Sequence, residues 1–527
     1  MKWKLLPQQS EDLVEQLLIN RKLNTPKERE KFFNPTLEDF KKDLQIPGIE
    51  KAQKRIKKAI EDQELIVVFG DYDVDGISAS AILYKALTSL GAKVLPYIPH
   101  REKEGYGLSA PGLEFARDSG ATIVITVDNG IVALKQADFA KELGLDLIIT
   151  DHHQPLDKKP DAYVIVHSTK MCGAAVAWCL IKDWVSKSLA RELLQFVAIA
   201  TVCDLIPLVG LGRAFLKEGL NELRKTDNLG LIELSREARI SLENIGSYEI
   251  GHVIGPRLNA IGRLEHAIDA LRLLCTKDLV KAKKLAKLLS DTNITRQQLT
   301  IQAIDEARLL IKKDSKIHVL DSKKWSSGII GLIAGRICEE CFRPVIAISV
   351  GENISKGSAR SVDGVNIVEV IRKSSDILLD VGGHPGAAGF SIANENLEEF
   401  KKRVDEIVLD MPDNSEQVLE IDAEVPSDKL TRKLINDLDK FEPFGFGNPR
   451  PVLVTFRVKI SDIKTVGEGK HLKFKADGID AIAFNFGNWT PLLMSDQLVD
   501  LAFNLELNRF NGTEKIQLKV KDLKVST

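Results

Sequence analysis

No stretch of the 527 residues approaches the roughly 20 consecutive apolar residues a helix needs to cross a bilayer. The opening MKWKLLPQQSEDLVEQ turns polar after Leu6, before the apolar core of a secretory signal could form. A cytoplasmic chain with no membrane partner is therefore expected. Cysteine is scarce: Cys172, Cys179, Cys203, Cys275, Cys338 and Cys341. Only Cys338 and Cys341 make a C-x-x-C, and no second pair completes a zinc site. That pair lies in a helix-like stretch from Gly328 to Phe342, so buried thiols are expected there. P-loops and G-x-S-x-G elbows are absent, which removes two common routes to phosphoryl and acyl chemistry. Repeats and low-complexity tracts are absent too. Neither sign of charge dominates, with 73 basic residues against 75 acidic. That balance decides little about partners, because carboxylates reserved for a metal inflate the acidic count.

Length and composition call for about three domains of ordinary globular make-up. From Glu64 to His167 short β-branched runs alternate with helical stretches. The runs are Leu65–Gly70, Lys93–Pro99, Thr122–Val127, Leu145–Thr150 and Ala162–His167. Continuous apolar runs of this kind predict a parallel sheet covered on both faces. Helical sequence follows to about Leu273, with residues 240–263 as an irregular interruption. From Ala267 to Lys313 one extended helical pattern reads as a connector, its break expected at Asp291, Thr292 and Asn293. A second α/β unit starts at Lys316, and the polar stretch Asp410 to Gln417 reads as a linker. Beyond Val418, period-2 runs separated by turns such as VGEGK and NRFNGTEK predict a small barrel or sandwich. Lys51, Lys54, Arg55 and Lys58 fall on one helix face, expected to be solvated.

The polar clusters that end these runs carry the chemistry. The first strand leads into Asp71-Tyr72-Asp73-Val74-Asp75-Gly76, the third into Asp128-Asn129-Gly130, and the fourth into Asp151-His152-His153. Ligands of open parallel sheets gather beyond the carboxyl ends of the strands. One such Asp is usually a turn former or helix cap. Three acids within five residues repel one another unless a cation joins them. A further acid, Asp204, ends an apolar stretch. Oxygen and imidazole donors without thiolate suit manganese, magnesium, iron or zinc. Shared carboxylates favour two ions about 3.5–4 Å apart, the spacing used in phosphoryl chemistry.

In order and wording DYDVDG, VDNGI, TDHHQP and CDLIPL resemble the signature blocks of DHH phosphoesterases. Further blocks extend the likeness to the RecJ-type exonucleases of that superfamily: REKEGYGLS, GPRLNAIGR, WSSGIIGLIAGRI, GSARS, GGHPGAAGF and FEPFGFGNPRP. The resemblance covers about Leu65 to Pro451. It implies an α/β fold of four parts: a parallel-sheet DHH domain with an N-terminal helical extension (1–265), a connector helix (266–314), a DHH-associated domain (315–410) and a C-terminal OB-fold barrel (418–527). A further C-terminal domain, carried by some relatives, is not expected.

The implied activity is 5′-to-3′ hydrolysis of single-stranded DNA to mononucleotides, in repair and recombination, by a monomer. A metal-bound hydroxide would be the nucleophile. Asp73, Asp75, Asp128, His152 and Asp204 would ligate two Mn2+ or Mg2+ ions, with Asp71 a ligand or a support and His153 beside them. Gly383 and His384 would hold the phosphate. Ser358, Arg360 and Arg101 would bind the terminal 5′-phosphate, with Arg257 and Arg263 as backbone clamps. Phe441, Phe444, Phe446 and Phe474 are candidates for base stacking, but core packing is the better reading of each. A single-strand-binding protein and a helicase are the implied protein partners. A small-substrate DHH hydrolase would have little use for the connector and β domain, and an inactive scaffold would have lost ligands that are all present here.

Overall fold

The five apolar runs between Leu65 and His167 form one parallel sheet in the computed structural model, which describes residues 1–101, 103–312, 315–409, 417–510 and 513–526. Its strand order is Lys93–Tyr97, Leu65–Phe69, Ala121–Val127, Asp146–Asp151 and Val164–His167. On one face Val67, Phe69, Val124, Leu147 and Ile149 pack with Leu113, Ala116, Ala137 and Ala140 of the helices Ala110–Asp118 and Leu134–Glu142. The helices Val74–Ser89 and Gly173–Ile181 cover the other. Ile66 to Phe69 are consequently shut off from water, which explains why this sheet reads as unbroken apolar runs rather than as an alternation.

This domain belongs to a unit made of Lys41–Ile206 and Phe215–Glu416. The connector is continuous through Asp291–Asn293 and breaks earlier. A helix Ile268–Cys275 ends at Thr276, and Asp278 then caps the 31-residue helix Leu279–Leu309 by accepting from the N–H groups of Val280 and Lys281. Thr292 and Asn293 are buried rather than looped out, so tertiary packing overrides their turn preference. The stretch 240–263 is also more helical than its sequence suggests. It holds the short helix Ser247–Glu249, a π-helical turn Ile250–Ile254 and the helix Gly255–Leu264. Arg55 is buried against Glu64 and Asp146 instead of lying on a solvated face.

Beyond the connector a mixed sheet runs in the order Leu378–His384, Ala387–Ala393, Ile354–Arg360, Val345–Ser349, His318–Ser322, only the last pair being parallel. The helix Ile330–Cys341 packs on it, burying Cys338 among apolar side chains. The connector's last residues, 313 and 314, the expected linker through residue 416, and Asn511-Gly512 of the NRFNGTEK turn lie outside the described residues.

The second unit comprises Met1–Phe40, Pro207–Ala214 and Gln417–Thr527. Its strands follow the order Leu453–Val466, His471–Ala476, Ile479–Ala483, Thr513–Val525 and Leu498–Phe510. The last pairs back onto the first and closes a barrel, with Ala423–Glu424 added beside Leu453 and Val454. Leu17 and Leu18 of the helix Leu13–Asn20, and Phe32 of Pro26–Phe33, join the barrel's core, and Lys2–Leu5 pairs with Val418–Ile421. The first 40 residues are thus part of the barrel unit and not an extension of the DHH domain. Arg213 is fully buried and donates to the carbonyls of Phe32, Glu442 and Pro443, which ties Pro207–Ala214 into the same unit.

Phe441 and Phe474 belong to this core and are not open to a base. Phe444 is covered by the Arg450 guanidinium at 4.5 Å, and Phe446 is exposed. Deleting residues from Val418 onward would unclothe Leu17, Leu18 and Phe32. Such a truncation is expected to aggregate, seen as void-volume elution in size exclusion, whereas a monodisperse product would mean that the N-terminal helices do not depend on the barrel.

Candidate metal centre

Parallel pairing sets three strand ends side by side, since Phe69 neighbours Thr126 and Val127 neighbours Thr150. Each end then delivers acids or imidazoles. Asp73 caps the helix Val74–Ser89, its Oδ1 accepting from Gly76 N at 3.0 Å, which puts Asp75 in the first turn. Asp128 has φ 63°, a left-handed conformation that Asp tolerates better than most residues. His152 and His153 follow the strand Asp146–Asp151. Asp204 caps the carboxyl end of the helix Leu194–Cys203. Gly173 is required at its place, because a Cβ there would lie 2.6 Å from the Asp128 carboxylate.

Three groups bring their donor atoms within 4.8 Å of one another: Asp71, Asp73 and Asp128; Asp75, His152 and Asp204; Asp128, His152 and His153. His152 Nε2 is 3.1 Å from Asp128 Oδ1 and 3.6 Å from both Asp75 Oδ2 and Asp204 Oδ2. Asp128 and His152 each belong to two of these groups. All six expected ligands and His153 are therefore brought together.

Asp71 Oδ1, Asp128 Oδ1 and His152 Nε2 are buried with no hydrogen-bond partner among the described residues. Such atoms are rare unless something else satisfies them. Burial and then neighbouring acids push the Asp71 and Asp128 carboxyls well above the usual range. Burial also raises Asp75. Burial, with Asp75 and Asp73, pushes Asp204 up to about 8. Burial lowers His152, favouring the neutral imidazole that a metal needs. Acids crowded out of their charged form, around a neutral imidazole and without thiolate, fit hard or borderline divalent ions.

A linkage follows. With its pKa raised from 3.8 to about 8, folded Asp204 holds a proton that the unfolded chain releases between those values. This contribution to stability is full below about pH 4 and is lost as pH rises through about 8. With chelator present, the melting temperature is expected to fall from pH 5 to pH 8, and added Mn2+ should raise it more at pH 8. An equal rise at both values would break the link between these carboxyls and the ion.

Sequence reasoning left Asp151 and Tyr106 without roles. Asp151 Oδ1 accepts from the backbone N–H groups of His152 and His153 and lies 2.8 Å from His153 Nδ1, while Oδ2 accepts from Ile131 N. Burial would lower His153, but its hydrogen bond and attraction to Asp151 raise it to about 9, which favours the imidazolium. The Tyr106 hydroxyl donates to the Asp128 carbonyl at 3.3 Å and lies 3.1 Å from His153 Nε2. Both residues stand inside blocks visible in the sequence. Their roles were not visible, because each acts on the neighbour of a ligand.

A second cluster has the opposite sign. Arg101 lies 4.9 Å over the Tyr72 ring and attracts Asp71. Arg263 donates to the Gly328 carbonyl. Burial, then repulsion from Arg101, Arg296 and Arg360, lowers it to about 10. Ser358 Oγ and the Arg360 guanidinium come 3.1 and 3.6 Å from where a Cβ on Gly331 would stand. Arg296, a further member that sequence reasoning missed, is held by Asn293. Crowded guanidinium groups suit a polyanion such as phosphate. Arg257 is not part of the cluster. It donates to the Val253 carbonyl, and Glu237 is the charge it feels. His384 accepts from Gly386 N on the strand Leu378–His384 and makes no contact with the carboxylates among the described residues. Gly383 beside it has φ 141° and pairs with Ala388.

A parallel sheet that gathers carboxylates and imidazoles at its carboxyl edge, followed by a mixed-sheet domain, defines a DHH phosphoesterase. Family models agree: the DHH family N-terminal domain matches residues 65–201, the DHHA1 domain 314–410 and the RecJ OB domain 421–522. The chain belongs to the RecJ family. It is 33% identical to the single-stranded-DNA-specific exonuclease RecJ of Bacillus subtilis, over 98% of this chain and 68% of that one. With the Haemophilus influenzae protein of the same name it shares 32%, over 96% and 95%. The crystal structure of Thermus thermophilus RecJ with Mn2+ matches with a TM-score of 0.87 at 28% identity, covering all of this chain and 80% of that one. The Mg2+ complex of that protein matches at 0.77.

Proposed function

We propose that this chain is a 5′-to-3′ exonuclease that hydrolyses single-stranded DNA to mononucleotides, in repair and recombination, using two Mn2+ or Mg2+ ions. The observation that carries the reading is the meeting of two clusters of opposite sign: unsatisfied carboxylates at the sheet edge, and arginines drawn towards Asp71 and Asp73. Asp71, Asp73, Asp75, Asp128, His152 and Asp204 would hold the ions. When bound, the ions neutralise the phosphate and acidify a coordinated water. The chain's own groups do the rest. Asp75 is fixed by the N–H groups of Gly173 and Ala174. Protonated His153 neutralises a phosphate oxygen, and Arg101, Arg263, Ser358 and Arg360 hold the terminal 5′-phosphate. Cutting the P–O3′ bond leaves a 5′-phosphate on the remaining strand, so every turnover regenerates the end that the arginines hold. Gly383 and His384 are proposed to grip the scissile phosphate from the DHH-associated domain.

On the barrel, Lys464, Lys473, Ile482 and Lys519 are successive cross-strand neighbours, three cations in a row interrupted by one isoleucine. The half-exposed Phe484 ring lies beside it, 5.6 Å from Lys519 Nζ and edge-on to His471. Charge plus an open ring suits single-stranded backbone and bases. Lys473→Glu with Lys519→Glu is expected to weaken binding of a long strand at least about tenfold and flatten its salt dependence, while binding of a tetranucleotide is spared. Unchanged salt slopes in a binding titration would remove the barrel from the strand's path.

No described helix is long and apolar enough to cross a membrane. We extend the proposal to a cytoplasmic monomer working beside a helicase and a single-strand-binding protein, which would supply unpaired ends. Linear single strands, circular single strands and blunt duplexes test the reading together: only the first should disappear. Degradation of circles would make the enzyme an endonuclease.

A further inference from the structure

The segment between the strand Lys93–Tyr97 and the helix Ala110–Asp118 carries both Arg101 and Tyr106, and its middle holds an acid that no metal or phosphate uses. The Glu104 carboxylate takes three hydrogen bonds. Tyr97 OH and Ser109 Oγ each donate to Oε2 at 2.7 Å, and His100 N donates to Oε1 at 2.8 Å. These donors come from the end of the strand, the start of the loop and the cap of the following helix, where Ser109 also accepts from Gly112 N. One side chain therefore ties both ends of the loop together. Positive φ at Gly105 and Gly107 lets the chain turn sharply on either side of Tyr106. The tied loop presents Arg101 over Tyr72 on one limb and the Tyr106 hydroxyl against His153 and the Asp128 carbonyl on the other.

We propose that Glu104 is the positioning residue for the 5′-end grip: it holds Arg101 and Tyr106 in register with the metal centre without touching substrate. The inference rests on the exonuclease reading above and deepens it. Three donors converging on one carboxylate also set the chemical requirement. Glutamine offers one acceptor oxygen and two N–H groups, so at least one donor must lose its partner, and a buried donor left unpaired is costly. Glu104→Gln should therefore fail to rescue.

The test compares wild type, Glu104→Ala and Glu104→Gln on 5′-phosphorylated and 5′-hydroxyl single strands in Mn2+. Both variants are expected to lose about tenfold in kcat on both strands, as Tyr106 leaves His153. They should also lose most of the advantage that a 5′-phosphate gives in KM, as Arg101 leaves the end site. Mn2+ affinity by calorimetry should stay within about twofold of wild type, because no ligand has changed. Amide exchange across residues 98–109 should accelerate, a readout independent of activity. A folded Glu104→Ala with wild-type kcat, an intact 5′-phosphate advantage and unchanged exchange would overturn the proposal. Wild-type enzyme that does not degrade single strands at all would instead overturn the exonuclease reading, leaving the exchange result to judge Glu104.

Discussion

Asp128→Asn is expected to reduce hydrolysis of single-stranded DNA by about a thousandfold or more, the rate equivalent of the several kcal/mol that metal charge contributes to phosphoryl transfer. Asparagine is the informative replacement. It accepts the left-handed backbone at φ 63°, it keeps the shape that Gly173 accommodates, and it removes only the charge shared by two of the three donor groups. Burial and acidic neighbours hold the metal-free Asp128 carboxyl out of its charged form, a cost that grows with pH and that a neutral amide escapes. The metal-free variant is thus expected to melt higher than metal-free wild type at pH 8 while being nearly inert. Activity within tenfold of wild type at saturating Mn2+ would show that Asp128 does not hold the ions.

Arg360→Ala is expected to cost ten- to a hundredfold in kcat/KM on 5′-phosphorylated strands and much less on 5′-hydroxyl strands, following the roughly 1.5–3 kcal/mol of a charge-assisted hydrogen bond. The guanidinium is half-buried beside like charges, where burial and then Arg101 lower its pKa, and a bound anion relieves that crowding. Arg263→Ala should resemble it, with a loss of domain contact as well, because Arg263 also donates to the Gly328 carbonyl. Equal losses on the two kinds of end would take Arg360 out of end binding. Steady-state kinetics on a matched pair of oligonucleotides decides it.

How much of this was legible in the sequence depended on whether a signal was local. The parallel sheet was, because each buried strand is an apolar run ended by a polar cluster, and all five strands formed within two residues of the reading. The acids and imidazoles proposed to hold the ions were legible too, since all but Asp204, which caps a helix, follow strand ends that topology must gather. What failed was partnership. The amphipathic helices Leu13–Asn20 and Pro26–Phe33 announce a buried face but not its partner, and they pack on a barrel some 400 residues downstream in the chain. Arg257 and Arg263 are alike in sequence, six positions apart, yet one faces Val253 and Glu237 and the other joins the cation cluster. Phe441 and Phe474 are core, as their sequence context favoured, whereas Phe446, read the same way, is exposed.

End-labelled single strands digested with and without Mn2+, and sampled through time, test most directly whether this centre is a metal-dependent enzyme acting from the 5′ end. Label at the 5′ end should appear at once as mononucleotide, label at the 3′ end should persist until the strand is nearly consumed, and chelator should abolish both. Early release of 3′ label, or digestion that survives chelation, would contradict the assignment of Asp71, Asp73, Asp75, Asp128, His152 and Asp204 to the metals and of the arginine cluster to the strand's 5′ end.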